Sequence, residues 1–140
     1  PGFFTGSLIR RFGVLQVMLA GCALMLVTVV IAHAGLSYWH FWSALFTLGL
    51  AWNFMFTGAT TLLTRTYTAA EKSKVQGIND LAVFLTMITS SAASGALLSA
   101  TGWTDLNLWS LPPVALTTLA IGWLLVDSRR DKQPRRPAPA

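Results

Sequence analysis

Asp80 is the only carboxylate set within an apolar stretch of this 140-residue chain, and Asn79 precedes it. An ionisable group at membrane depth is costly, and where one is kept it serves a proton relay, a substrate contact or an ion pair. Asp80 lies one to two turns beyond Lys74, near the start of the apolar run, with Arg11 and Arg65 as further cations near the same boundary. That position favours an inner gate or structural ion pair over proton or substrate coupling, and both readings stay open. Asn53 interrupts another apolar stretch, and Thr57, Thr60 and Thr61 follow it. Asn53, Thr57 and Thr60 fall near one helical face, where they could line a solute pathway. An amide in lipid must find a partner, so an interhelical hydrogen bond explains Asn53 equally well.

Other chemistry is absent from the pattern. There is no H-E-x-x-H, no Gly-x-Ser-x-Gly elbow and no pair of carboxylates within the apolar stretches, so an enzyme is not expected. His33 and His40 lack metal-ligand spacing to another His, Cys or acid, and neither a metal nor another cofactor is implied. Cys22, the single cysteine, cannot form an internal disulfide and reads as a small packing residue. Leu19 to Cys22 mimics a lipoprotein cleavage box, but the apolar run continues well past it, unlike a signal peptide. Ser91, Gly95 and Ser99 recur every four residues, a spacing that lets helix backbones approach closely.

The elements that must carry these residues are membrane helices. Hydrophobic residues make up 54% of the chain and charged ones 11%, far below the roughly one quarter of a soluble domain. Four stretches supply the ~20 apolar residues a crossing needs: Val14 to Ala34, Phe41 to Leu63, Val75 to Ala100 and Leu106 to Val126. Thr68 and Glu71 form a Thr-x-x-Glu capping box before the third. Gly102, Asp105 and Asn107 mark the turn before the fourth, and Pro112 with Pro113 either start that helix or bend it. Pro1 to Ile9 reads as the inner end of a helix that has been cut away.

The ten cations fall in three clusters: Arg10 with Arg11, Arg65 to Lys74, and Arg129 to Arg136. The loops near 35–40 and 101–107 contain no Lys or Arg. All the cations therefore obey the positive-inside bias if Arg11 is cytoplasmic. They lie in loops and form no basic stripe, so the charge of +5 does not point to nucleic acid.

Gly6, Leu8, Arg11 and Gly13 form a G-x-L-x-x-R-x-G loop between two membrane helices. With this loop the chain resembles the major facilitator superfamily, which carries G-x-L-x-D-R-x-G between its second and third helices and a weaker copy between its eighth and ninth. Arg10 stands where the first copy has Asp. The resemblance implies an all-α, polytopic transmembrane bundle: the end of helix eight through helix twelve, within the C-terminal six-helix half. Residues 1–13 are then the preceding helix end and a cytoplasmic loop, 14–126 a four-helix transmembrane region, and 127–140 a disordered basic tail in the cytoplasm. The function implied is part of a secondary transporter of small solutes working by alternating access, in the plasma membrane (the inner membrane of a bacterium). Its partners would be the lipid bilayer, the missing N-terminal helices of its own chain and a small-molecule substrate, with proton coupling an open question. A four-helix scaffold or assembly subunit without transport activity is the alternative.

Overall fold

The computed structural model describes the backbone of residues 2–130 and the side chains of 4–128 apart from Thr104. Five helices follow one another: α1 (Gly2–Phe12), α2 (Val14–Ala34), α3 (Tyr38–Leu63), α4 (Lys72–Trp109) and α5 (Leu111–Arg130). Of the tail expected to be disordered, 127–140, residues 127–130 instead continue α5 as helix, and 131–140 lie outside the described residues.

Three segments are long and apolar enough to cross a membrane: Val14–Ala34, Lys72–Trp103 and Asp105–Ser128. The expectation of four spans is met by composition for these three. At 26 residues α3 has the length, but Trp39, His40, Asn53 and the threonines from 57 to 61 dilute its apolar content. Threonine is tolerated throughout these helices because its hydroxyl turns back onto its own helix. Thr28 donates to the Leu24 carbonyl at 2.9 Å, Thr86 to Ala82 at 2.8 Å and Thr118 to Val114 at 2.7 Å. Each of these hydroxyls is met within its own helix, so lipid need not satisfy it.

α2 and α3 pack antiparallel along a seam of small residues. Ala44, Ala51 and Gly58, seven apart, are all buried, and Ala51 has no exposed surface. Gly21 and Met18 oppose them on α2: a Cβ added at Gly21 would lie 3.2 Å from the Ala51 carbonyl oxygen. One added at Gly58 would lie 2.3 Å from Met18 Cγ. Cys22 is buried here as a packing residue, with its Sγ 3.7 Å from Met55 Sδ. Val14, Met18 and Cys22 form a core with Ile121 of α5, and Ile9 and Leu62 pack on it.

Connections follow local chemistry. Gly13 alone joins α1 to α2, at φ 93° and ψ 153°, a conformation that only glycine adopts readily. Gly102 breaks α4 at φ 88°, at the turn anticipated there. Pro112 and Pro113 occupy the first turn of α5, where a helix has no use for their missing N–H groups, so they start the helix. The capping box is only half made. Glu71 accepts from the Thr68 backbone N–H at 3.1 Å, but the Thr68 hydroxyl donates to the same carboxylate at 2.8 Å. The segment between them is a turn, and α4 starts at Lys72, later than the box suggests.

The packing gathers the cations. Because α2 and α3 run antiparallel and Ile121 meets Val14 and Met18, the ends of α1, α3 and α5 share one face with the starts of α2 and α4. Trp103 marks the opposite face, its indole N–H reaching the Ala32 carbonyl at 3.4 Å and its ring 6.1 Å from Phe41.

Candidate functional site

The polar groups of α3 and α4 fall along one groove. On α3, Trp52, Phe56, Thr60 and Thr64 recur every four residues; on α4, Asn79, Val83, Thr86 and Ser90 follow helical spacing. The two helices stand apart, with no Cα atoms within 8 Å of each other. The space between holds about 370 Å³, lined by Trp52, Asn79, Ala82, Val83, Thr86, Met87 and Ser90. Trp52 is stacked on Phe56, with ring centroids 5.9 Å apart and planes 18° from parallel. Phe56 continues into a smaller groove of about 250 Å³ with Thr57, Thr60, Thr61 and Thr64, leading toward the basic face. Thr60 and Thr61 donate to the Phe56 and Thr57 carbonyls at 2.8 and 2.7 Å, so their hydroxyl protons are committed to their own helix.

Asn53 has a different setting. Its Oδ1 accepts from Thr5 Oγ1 at 2.5 Å, and Thr5 is fully buried. This is the interhelical bond anticipated as one reading of Asn53; it ties α1 to α3, while Thr57 and Thr60 line the groove. Sequence reasoning missed Thr5. A threonine in an apolar helix end carries no signal until its partner 48 residues away is known.

Asp80 is exposed, and among the described residues its polar contact is Asn79, whose Nδ2 lies 3.4 Å from Asp80 Oδ1. Among the described residues the pairing considered for it with Arg65, Lys74 or a loop arginine such as Arg11 is not formed; Arg65 is out of reach where α4 stands off α3. Arg11 instead lies 5.5 Å from the Phe12 ring centroid. Arg10 donates to Ser7 Oγ at 3.1 Å. In the loop motif Gly13 supplies the sharp turn and Leu8 lines a groove of about 310 Å³ with Phe12, Val17 and Phe54, whereas a Cβ added at Gly6 would meet nothing described within 4 Å. Ser91, Gly95 and Ser99 are exposed on the side of α4 away from the groove, and Gly95 likewise has nothing described within 4 Å.

Near the basic face, Gln76 donates to the Tyr67 hydroxyl at 2.9 Å and ties the α3–α4 loop to α4. The Thr68 backbone N–H, and secondarily its hydroxyl, hold the Glu71 carboxyl below its ordinary value near 4.5. At the other face His40 Nδ1 and Ser37 Oγ are 2.6 Å apart. Among the described residues no three His, Cys, Asp or Glu side chains come together to hold a metal.

Comparison with known proteins gives this geometry a context. Residues 2–140 match the family described as the Major Facilitator Superfamily. The chain is similar to the riboflavin transporter RfnT of Brucella anthropi, 42% identical over 121 residues, which is 86% of this chain and 30% of that protein. It is also similar to the uncharacterized MFS-type transporter YdeG of Bacillus subtilis, 32% identical over 110 residues, 77% of this chain and 26% of that protein. The chain thus spans under a third of the length of either relative. No solved structure matches the chain.

Proposed function

Because the chain belongs to the major facilitator superfamily, an integral-membrane transporter family and not an enzyme family, we propose that it is part of a secondary transporter that moves a riboflavin-like solute by alternating access. The observation that carries the cargo is the 42% identity to a riboflavin transporter. The chain's length relative to that protein supports its being one segment of a larger bundle, the end of helix eight through helix twelve.

In this reading α3 is a fourth span. Its aromatic start at Tyr38, Trp39 and Trp42 sits at the headgroup level, where rings with one apolar and one wettable edge accumulate. The gathered cations form the cytoplasmic face, of a bacterial inner membrane, and the C-terminus is cytoplasmic. The groove along α3 and α4 is one wall of the solute pathway, and Thr57 and Thr60 line its inner end. Asp80, near that end and without a partner cation among the described residues, serves as a gate or coupling group once the bundle closes around it. Alternating access rocks two helical halves about a midplane site, so the segment alone should not transport.

The test is uptake of labelled riboflavin by cells that cannot make it, carrying the full-length protein or an empty vector. Accumulation above the vector is expected. A protein that reaches the membrane yet supports no uptake defeats the cargo assignment.

A further inference from the structure

Resting on that reading, we infer that Trp52 and Asn79 form the specificity-determining subsite for a flat heteroaromatic ring: Trp52 stacks on its face and Asn79, with Ser90, meets its hydrogen-bonding edge. Three observations converge on this groove. Its volume, about 370 Å³, lies within the range of roughly 300–1,000 Å³ that small-molecule sites occupy. Trp52 is 50% exposed, and its stacking on Phe56 fixes the indole plane before any ligand arrives. Rigid aromatic anchors lose little freedom on binding, which favours them as recognition surfaces.

The third observation is polar. Among the described residues the Trp52 indole N–H, the Asn79 amide oxygen and the Ser90 hydroxyl make no hydrogen bond. Thr86, by contrast, is already committed to the Ala82 carbonyl. The Ser90 hydroxyl and the Asn79 amide oxygen put a donor and an acceptor beside the Trp52 face, which complements a ring whose rim carries both C=O and N–H groups. The indole N–H lies in the plane of its own ring and does not serve a ligand stacked on it. The isoalloxazine of riboflavin has such a rim; its ribityl chain has hydroxyls but no flat face. A lipid tail would leave these groups unmet, at a cost that lipid cannot relieve. A helix from elsewhere in the protein is the competing occupant.

The experiment uses the full-length transporter, purified in detergent, and reads quenching of riboflavin fluorescence on binding. Uptake in cells is measured beside it. Stacking on an aromatic side chain contributes about 1–3 kcal/mol per ring, roughly a fivefold to hundredfold effect. Trp52→Leu should therefore weaken binding at least fivefold and relieve the quenching, while Trp52→Phe retains most of both. Asn79→Leu should raise Kd about threefold to tenfold without relieving the quenching of what is bound. Lumichrome, the ring without the ribityl chain, should compete, and ribitol should not.

If wild type neither binds nor transports riboflavin, the cargo assignment falls and this subsite falls with it. If wild type does both and Trp52→Leu keeps its Kd and quenching, the subsite alone is overturned. Cysteine at Ser90 should react with an aqueous thiol reagent and be protected by riboflavin. A cysteine that is unreactive with and without riboflavin means a helix fills the groove, and the proposal fails.

Discussion

Replacing Gly58 with alanine should destabilise the transporter, although alanine is the better helix former. The added Cβ would lie 2.3 Å from Met18 Cγ and 2.9 Å from its Sδ. Carbon atoms rest at about 3.5–4.0 Å, so Met18 must move by more than 1 Å. It has little room, being only 7% exposed within the core formed with Val14, Cys22 and Ile121. Overpacking of this kind costs about 1–3 kcal/mol, against which alanine's helix propensity returns about 1 kcal/mol. Gly49, on the same helix with nothing described within 4 Å, supplies the comparison. Gly49→Ala should be neutral or mildly stabilising, so the difference between the two variants isolates the clash at about 1–3 kcal/mol. In a Met18→Ala background the gap should close, because only the Met18 Cβ then remains, at an ordinary 3.7 Å. The measurement is SDS-induced unfolding of the full-length protein, followed by circular dichroism. Equal stability for Gly58→Ala and Gly49→Ala, or a difference that survives Met18→Ala, refutes the packing argument.

Thr5→Val keeps the shape of the side chain but removes the donor to Asn53, and should cost about 0.6–1.7 kcal/mol in the same assay; a cycle with Asn53→Leu that shows no coupling rejects the bond as a stabilising contact. Asp80→Asn should impair riboflavin uptake while leaving the amount of protein in the membrane largely intact, and uptake kinetics identical to wild type at every pH would remove Asp80 from the mechanism. The Glu71 carboxyl is held low by Thr68, so its contribution to the start of α4 is complete above the ordinary value near 4.5 and fades as pH falls through the lower folded value. Glu71→Gln should speed hydrogen exchange of the amides from 68 to 75 at neutral pH, and an unchanged rate would show that the carboxylate holds nothing there.

The order and bounds of the helices were legible because their signals are local. From Val14 to Ala34 the chain is apolar but for Gln16, Thr28 and His33, and α2 follows that run. Gly102 and the Pro112–Pro113 pair likewise marked the turn and helix start that the structure shows. The start of α4 was less legible, since the Thr68 hydroxyl could equally cap a backbone N–H or bond the Glu71 carboxylate, and it does the second. Partnerships between helices were the hardest to read. Rows of small residues occur on both α3 and α4, and spacing alone cannot say which row meets a neighbour. Among the described residues the row buried is Ala44, Ala51 and Gly58. The groove was half visible: Thr57 and Thr60 stood out as polar residues in an apolar helix. Trp52 and Ser90 read from sequence as packing residues, because a tryptophan or serine in a membrane helix is ordinary until something is seen to face it.

A linkage one residue long has no slack. Gly13 is all that separates α1 from α2, so any tilt of the first must either be absorbed by two torsion angles or be handed on to the second. With the bond from Thr5 to Asn53 reaching past that elbow to α3, the three helices are geared together. A push on the Arg10–Arg11 end of α1 would turn α3, and with it the tryptophan that faces the groove.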